Sequence, residues 1–365
     1  MSSLLVEMND RAMKLGVPLS VHIDVTYRCN ERCQHCYLDH DDLGEMTTAE
    51  IKDILDQLAE AGVFFLVFSG GEVFMRRDFL ELVEYARNLM FNVKVKTNGV
   101  MIREYEARRL RELGVEQVQI SVYSHRPEVH DAITKLPGSL KRTLDSIKFL
   151  KAQGLKVTVS NVLMTYNRDD HRATQALAKE LGVSYTLDPT VTPKMDGDTS
   201  VLALRVDADN LDELFADPEL VGNPEEFCAK PGPVDEDTME GYSCSAGHTA
   251  CYITPYADVF PCVQFPLATG NLRKQKFIDI WKHSPQLAEV RSIKVKDLTV
   301  CSSCSHAGTC TRCPGLAYME GSMRGPSSSD CEKSFHRTGI PSANMLRKAA
   351  AAASGPLIQI APMMG

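Results

Sequence analysis

The sequence of 365 residues has no long apolar run and no excess of positive charge. No stretch approaches the ~20 apolar residues of a membrane-spanning helix, and the first ten residues include acidic side chains instead of a signal peptide's apolar core. Forty basic against 48 acidic residues give a formal net charge of −8, which argues against nucleic acid as a default partner. Motifs for Ser-His-Asp or paired-carboxylate catalysis are also missing. We expect a cytoplasmic protein with no membrane or nucleic-acid partner.

Cysteine, by contrast, is abundant, with twelve in the chain. Thiols stay reduced in the cytoplasm, so these cysteines are better interpreted as metal ligands than as disulfides. A length of 365 residues with 44% hydrophobic residues suits one barrel-sized domain and a smaller second one. The composition therefore predicts a metal-binding protein of two domains.

The densest group of thiols is Cys29-Asn-Glu-Arg-Cys33-Gln-His-Cys36, directly after the strand-like run 21–26. Three thiolates at this spacing converge on one face of a loop and bind a soft metal centre. Three ligands would leave one iron of a [4Fe–4S] cubane open to a small molecule. A zinc knuckle or a disulfide-bonded loop is the alternative interpretation, although a fourth local ligand is missing.

The first half of the chain repeats a strand-and-helix pattern. Continuous apolar runs are typical of parallel strands buried on both faces, and a glycine C-cap ends a helix cheaply in the left-handed conformation. The pattern predicts strands at 21–26, 63–68, 93–97, 115–122, 155–164 and 183–187, helices capped at Thr47 and Asp78 and over 103–113, 139–153 and 169–181, and glycine joints at Gly62, Gly114, Gly154 and Gly182. A parallel sheet with right-handed crossovers follows, with function on the loops after the strands.

Polar residues follow several of these strands. Ser69-Gly70-Gly71-Glu72 follows the second strand, where paired glycines let backbone approach a ligand and the acid accepts from an ammonium. Glycines after a strand are also common in plain turns. The polar loop 124–138 has two histidines, and we expect either substrate contact or a surface connection there.

A second group of cysteines follows a Pro-, Gly- and acid-rich bridging segment, in which we predict one helix at 207–216. Eight thiols make two sets of four, which fits two [4Fe–4S] clusters or two zinc ribbons, and spacing does not separate the two. The eight are Cys244, Cys251, Cys262, Cys301, Cys304, Cys310, Cys313 and Cys331. Cys228 is left over and is interpreted as a plain free thiol.

The C-x3-C-x2-C spacing, the Gly-Gly-Glu run and the later cysteines resemble the radical S-adenosylmethionine (SAM) enzymes of peptide-maturase type that carry a C-terminal SPASM extension. The resemblance implies an α/β fold, a partial (β/α)6 radical SAM barrel followed by a small cysteine-rich SPASM domain. It divides the chain into an N-terminal lead 1–19, the barrel 20–190, a bridging segment 191–243, the SPASM domain 244–333 and a C-terminal tail 334–365.

The same resemblance implies SAM and three [4Fe–4S] clusters as cofactors. Carried over, Cys29, Cys33 and Cys36 would hold the radical SAM cluster, Cys244, Cys251, Cys262 and Cys313 auxiliary cluster I, and Cys301, Cys304, Cys310 and Cys331 auxiliary cluster II. The implied SAM contacts are Gly70, Gly71, Glu72, Asn98, Ser121 and His35; for Asn98 and Ser121 a turn without a ligand is the alternative. This sequence departs from the family in three places: Val73 stands where Pro is usual, Ala257 where Gly is usual, and two residues rather than three separate Cys310 from Cys313.

By resemblance, reductive cleavage of SAM would give a 5′-deoxyadenosyl radical that abstracts a hydrogen atom, and the auxiliary clusters would accept an electron. We expect oxidative crosslinking or another modification of a ribosomally synthesised precursor peptide. Val263 replaces the aspartate of sulfatase-maturating relatives, which weighs against that activity. Alternatives are a small-molecule reaction in tetrapyrrole or quinone cofactor synthesis, RNA modification, which the acidic balance disfavours, and a non-catalytic iron–sulfur or zinc scaffold.

Two partners are expected besides the substrate. An external one-electron reductant such as flavodoxin or ferredoxin would supply the electron. Only about twenty residues precede the first strand, too few for a leader-binding domain, so leader binding would fall to a separate protein or be unnecessary.

Overall fold

The computed structural model describes residues 3–38, 40 and 43–353. The last part of the predicted tail, 354–365, lies outside the described residues. Among those that are described, no helix has the length and apolar character to cross a membrane.

Six parallel strands alternate with helices, which confirms the predicted α/β class. The strands are β1 (Ser20–Asp24), β2 (Phe65–Ser69), β3 (Asn92–Thr97), β4 (Gln117–Ser121), β5 (Lys156–Val162) and β6 (Ser184–Asp188). The first seven helices are α1 (Ser3–Leu15), α2 (Thr48–Glu60), α3 (Phe79–Asn88), α4 (Glu104–Glu112), α5 (Pro127–Thr134), α6 (Ser139–Ala152) and α7 (His171–Glu180). All six strand ends therefore point to one edge of the sheet, where the loops gather.

Local sequence accounts for the helix boundaries. Thr47 and Glu50 form the expected capping box at the start of α2. The four glycine joints Gly62, Gly114, Gly154 and Gly182 have φ of 88°, 73°, 73° and 67°. In α2 the buried face is Ile51, Ile54, Leu55 and Leu58. Burial of each such side chain contributes about 1.5–3 kcal/mol, so this face fixes the helix on the sheet.

Three later strands extend the sheet beyond β1, where no strand was predicted. They are β7 (Ala250–Ile253), which pairs parallel to β1, and β8 (Asp258–Phe260) and β9 (Gly270–Asn271), which pair antiparallel. The strand order is β6-β5-β4-β3-β2-β1-β7-β8-β9. Part of the cysteine-rich region thus continues the barrel sheet.

Two predictions about the connections were wrong or incomplete. The loop 124–138 contains α5, which begins at Pro127 because proline suits the first helical turn. In the segment 191–243 the predicted helix at 207–216 is confirmed, but three further α-helices were missed, since Asp217, Asn223 and Asp235 each cap a short helix with a side-chain oxygen. These helices are α8 (Ala208–Phe215), α9 (Pro218–Val221), α10 (Pro224–Phe227) and α11 (Glu236–Glu240).

The chain forms two compact units. The first comprises residues 1–210 and 244–292, and the second 211–243 and 293–365. The first ends with α12 (Phe277–His283) and α13 (Pro285–Ser292); the second adds α14 (Pro314–Met319), α15 (Ser328–Thr338) and α16 (Ala343–Ala353). The boundaries implied by the family resemblance stay predictions.

Candidate active site

The loop that carries the first three cysteines is fastened by the two glycines after β2. Gly71 N–H donates to Thr26 O at 2.8 Å. A Cβ on Gly70 would lie 2.2 Å from Thr26 O, and one on Gly71 would lie 2.4 Å from Arg28 O. Gly70 also has φ of +146°, a conformation that L side chains rarely adopt. Both positions therefore require glycine because the backbone of the cysteine loop lies against them. The sequence did not reveal this contact.

Helix α5 holds the other side of the same loop. The N–H groups of Arg32 and Gln34 donate to Thr134 O and Ile133 O, both at 3.0 Å. The last carbonyls of a helix have no partner within the helix, so they are available acceptors. The helix that replaces the predicted loop thus positions the cysteines.

Cys29, Cys33 and Cys36 all line one cavity of about 440 Å³. Burial raises the pKa of Cys29 to about 12 and raises the pKa values of Cys33 and Cys36 as well. The protein alone therefore favours neutral thiols, whereas bound metal would stabilise the thiolates. Three thiols facing one cavity are a donor set that fits an iron–sulfur cluster.

Three buried polar atoms in this loop have no hydrogen-bond partner among the described residues: Asn30 Nδ2, Glu31 Oε1 and His35 Nδ1. A buried polar atom without a partner costs about 1–3 kcal/mol, so such atoms suit a place that receives a ligand or water, and Glu31 and His35 line the cavity. Burial lowers the pKa of His35 to about 4, which keeps its ring neutral near pH 7. The loop thus fits a cavity that receives a polar cofactor.

The remaining predicted SAM contacts fall into two groups. Gly70, Gly71, Asn98, Ser121 and His35 line the cavity beside the cysteines. Asn98 Nδ2 donates to Asn30 Oδ1 at 2.8 Å, and the His35 ring meets the edge of the Tyr123 ring at 4.8 Å. The structure brings these residues together around one space.

Glu72 is not among the described residues that line the cavity. Its carboxylate accepts from Thr97 Oγ1 at 2.8 Å, Asn98 N at 2.8 Å and Phe74 N at 3.1 Å. Burial raises its pKa, and these hydrogen bonds oppose that shift. In this arrangement Glu72 ties the end of β2 to the end of β3 and so positions Asn98.

A chain of hydrogen bonds connects His22, which lines the cavity, to the cysteine loop. His22 Nε2 lies 3.1 Å from Asp24 Oδ1, Tyr252 donates to Asp24 Oδ2 at 2.7 Å, and the hydroxyls of Tyr252 and Tyr27 lie 2.8 Å apart. Tyr27 is two residues before Cys29. The network joins β1, β7 and the cysteine loop, and no sequence motif indicated it.

Polar side chains from several strands form the cavity wall, and sequence reasoning missed most of them. They include His22, Ser69, Lys96, Gln119, Ser121, Ser160 and Asp188. A signal was present in β3, where Lys94 and Lys96 alternate with the buried Val93 and Val95. Such alternation indicates one apolar face and one polar face of the sheet.

Three of the later cysteines belong to the first unit: Cys244, Cys251 and Cys262. Cys251 lies on β7 beside Val21 of β1, and burial raises its pKa to about 12. Burial also raises the pKa of Cys262, and the neighbouring Cys244 acts in the same direction. Cys262 is therefore within electrostatic reach of both Cys244 and Cys251.

Four others line one cavity of about 260 Å³ in the second unit: Cys301, Cys304, Cys310 and Cys331. Ala343 N–H donates to Cys304 Sγ and Ser334 Oγ to Cys310 Sγ, both at 3.4 Å. Burial raises the pKa of Cys301 to about 11, and the buried Arg312 guanidinium opposes that shift. This is the set that the resemblance assigns to auxiliary cluster II.

The two remaining cysteines, Cys228 and Cys313, line neither described cavity. Cys313 is the N-cap of α14, where its sulfur accepts from Leu316 N at 3.5 Å. Cys228 donates to Phe215 O at 3.5 Å in the second unit. The assignment of Cys313 to auxiliary cluster I remains a prediction.

Comparison with known sequences gives two domain matches. Residues 23–178 match the radical SAM superfamily, and residues 244–314 match SPASM, an iron-sulfur cluster-binding domain. The chain is 31% identical to the mycofactocin maturase MftC of Mycobacterium tuberculosis over 318 residues, 84% of this chain and 80% of that protein. It is 28% identical to the AdoMet-dependent heme synthase of Methanosarcina barkeri over 329 residues, 83% of this chain and 93% of that protein.

Among solved structures, Streptococcus suis SuiB bound to its precursor peptide SuiA is similar, with a TM-score of 0.71 and 18% identity. The likeness covers 90% of this chain and 80% of that one. At this identity it shows a shared fold.

Proposed function

Because this chain belongs to the radical SAM superfamily and carries a SPASM iron–sulfur cluster-binding domain, we propose that it is a maturase that oxidatively modifies a ribosomally synthesised peptide. The observation that carries the proposal is the 31% identity to a mycofactocin maturase, across 80% of that protein. The fold shared with SuiB, which was solved with a precursor peptide, supports the same substrate class.

The radical SAM family implies a [4Fe–4S] cluster and SAM. We propose that Cys29, Cys33 and Cys36 hold the cluster. When bound, the two cofactors supply a 5′-deoxyadenosyl radical that abstracts a hydrogen atom from carbon. We propose direct SAM contacts from Gly70, Gly71, Asn98, Ser121 and His35, which line the cavity. Glu72, which the resemblance also assigns to SAM, would act through Asn98, whose backbone N–H donates to its carboxylate.

The chain's own residues prepare the site. The neutral His35 ring packs against Tyr123 and offers an apolar face with one unpartnered nitrogen. Glu72 holds Asn98 at the rim through a backbone hydrogen bond of 2.8 Å. A radical needs walls that exclude water and side reactions, and the strand-borne side chains of the cavity form such walls.

The SPASM domain suggests further clusters, and we propose two. Cys244, Cys251, Cys262 and Cys313 would hold one, and Cys301, Cys304, Cys310 and Cys331 the other. Complete cysteine ligation leaves no open iron, so these sites suit electron acceptance better than substrate binding. A flavodoxin or ferredoxin would deliver the reducing electron.

The test uses the reconstituted protein with SAM and a reductant. Without substrate, we expect abortive 5′-deoxyadenosine, which a non-catalytic scaffold would not form. With the short peptides encoded nearby, we expect a mass change in one peptide and faster 5′-deoxyadenosine release. Modification that persists in a Cys29/Cys33/Cys36→Ala variant would contradict the proposal.

A second candidate function is a small-molecule reaction in tetrapyrrole or quinone cofactor synthesis. The observation that favours it is the 28% identity to a heme synthase across 93% of that protein. The same assay with tetrapyrrole carboxylates in place of peptides separates the two candidates. If a tetrapyrrole is converted and no peptide is, the small-molecule reaction would replace the proposed peptide modification.

A further inference from the structure

Lys96 places a positive charge on the inner wall of the cavity. It lies on β3 between the buried Val95 and Thr97, and it pairs in register with Gln119 of β4. Both side chains line the cavity that the three cysteines share. The Lys96 side chain keeps exposed surface and lines the cavity.

Neither side chain has a hydrogen bond or an ion pair with any residue that the structure describes. Two carboxylates, those of Asp24 and Asp188, and the thiol of Cys262 act on Lys96 at a distance. The Asp24 oxygens already face His22 Nε2 at 3.1 Å and the Tyr252 hydroxyl at 2.7 Å. Asp188 Oδ1 accepts from Thr190 N at 2.8 Å. The cation thus lacks a direct counterion within the described protein.

We propose that Lys96 and Gln119 bind a carboxylate of the substrate. An ammonium beside a carboxamide donor is a chemically complete site for one carboxylate, because charge-assisted hydrogen bonds are about twice as strong as neutral ones. A cation that is partly desolvated and has no direct partner is unfavourable, and burial lowers the pKa of Lys96. A bound carboxylate would relieve that cost.

The depth of Lys96 and Gln119 in the barrel indicates that the bound carboxylate belongs to the substrate and not to SAM. The proposed SAM contacts Asn98 and Ser121 each lie two residues further along the chain than Lys96 and Gln119, toward the strand ends and the cysteine loop. The lysine and glutamine are therefore one layer deeper in the sheet. A substrate that reaches past the cofactor would place its acid there.

This inference rests on the proposed function and narrows its substrate to an acid. The carboxylate has three possible sources: the C-terminus of a peptide, an acidic side chain, or a small-molecule acid. The test distinguishes them without knowledge of the natural substrate.

The experiment measures binding to the reconstituted, SAM-loaded protein by saturation-transfer NMR. The probes are matched pairs: short peptides as free acids and as C-terminal amides, peptides with internal Glu or Gln, and tetrapyrrole acids with their methyl esters. The variants are Lys96→Met, Lys96→Arg and, as a control on the same strand, Lys94→Met.

In the unmodified protein and in Lys94→Met, we expect one class of acid to bind about tenfold tighter than its neutral partner, the effect of one charge-assisted hydrogen bond. Lys96→Met should abolish that preference while leaving SAM affinity unchanged, and Lys96→Arg should retain part of it. A preference for tetrapyrrole acids would keep this inference and remove the peptide proposal.

Three results would overturn the carboxylate site. The first is equal binding of the acids and their neutral partners, which includes the case in which neither binds. The second is an acid preference that survives Lys96→Met. The third is a fall in SAM affinity together with the acid preference, which would mean that Lys96 contacts the cofactor.

Discussion

The two cysteine cavities, one in each unit, differ in what surrounds the sulfur atoms. In the first unit, three thiols share about 440 Å³ with strand-borne His, Lys, Gln, Ser and Asp side chains. In the second, four thiols share about 260 Å³ with Val295, Leu298 and Ala307 and with polar side chains such as Arg312, Ser334 and Ser342. Three ligands with a polar chamber suit binding and chemistry on a small molecule, whereas four ligands suit a closed cluster.

The two sites are also held differently. The three-cysteine loop is fixed by long-range contacts with the ends of β1 and β2 and with the last turn of α5. The four-cysteine site is built from short turns and helices, such as the turn Cys301–Ser303 and the first turn of α15. The first site therefore depends more on the whole barrel, and the predictions below test that contrast.

The largest expected effect comes from removal of the first three thiols. A Cys29/Cys33/Cys36→Ala variant should lose all SAM cleavage, and its iron should fall from about twelve to about eight per chain. Anaerobic reconstitution followed by iron, sulfide and zinc counts checks this. About four irons together with zinc in the unmodified protein would mean that the later cysteines are structural.

Removal of thiols from the second unit should separate SAM cleavage from formation of the modified product. Cys304→Ala with Cys331→Ala should lose about four irons and the modified product, yet still cleave SAM abortively, because the first cavity is intact. The control is Cys228→Ala, a thiol that lines neither described cavity. Loss of abortive cleavage in the double variant would break the proposed separation of roles.

A smaller effect is expected from the two glycines, Gly70 and Gly71, that hold the cysteine loop. A substitution there should also disturb the first site and leave the second intact. Gly71→Ala would put a Cβ 2.4 Å from Arg28 O, so the cysteine loop must move. We expect a loss of about 3 kcal/mol in the free energy of unfolding and weaker SAM cleavage, with iron in the second unit retained. Chemical denaturation measures the former. Gly232→Ala, which meets nothing within 4 Å, should change stability by less than about 0.5 kcal/mol.

The last prediction concerns pH, and its effect disappears at neutral pH. His130 of α5 is buried, accepts from Tyr123 N at 3.2 Å, and burial lowers its pKa to about 4. The unfolded chain takes up the proton below about pH 6.5 and the folded chain only near 4, so stability falls as pH drops between these values, by up to about 3 kcal/mol. His130→Gln should reduce that slope in denaturation curves, to which the buried His35 also contributes, and the exposed His283→Gln should leave it unchanged. An unchanged slope in His130→Gln would show that His130 does not cause the pH dependence of stability.

Much of the fold could be predicted because its signals are local. The capping box at Thr47 and the glycine at position 62 fix the ends of α2 within a few residues of the chain. The helix at 127–134 was missed because its polar sequence offers little apolar periodicity, and it is stabilised by its docking to the cysteine loop. Strands β7 to β9 were missed because they are short and form only by pairing with β1 and with each other.

The sequence by itself determined the chemistry that is possible: the thiol spacing at 29–36, the second set of cysteines and the alternation of strand with helix. Such features depend on residue type and on spacing along the chain. Tertiary structure alone decided that Gly70 and Gly71 clamp the cysteine loop, that Glu72 faces Thr97, and that Lys96 points into the shared cavity. Those outcomes depend on strand register and on contacts between residues far apart in sequence, which sequence spacing does not specify.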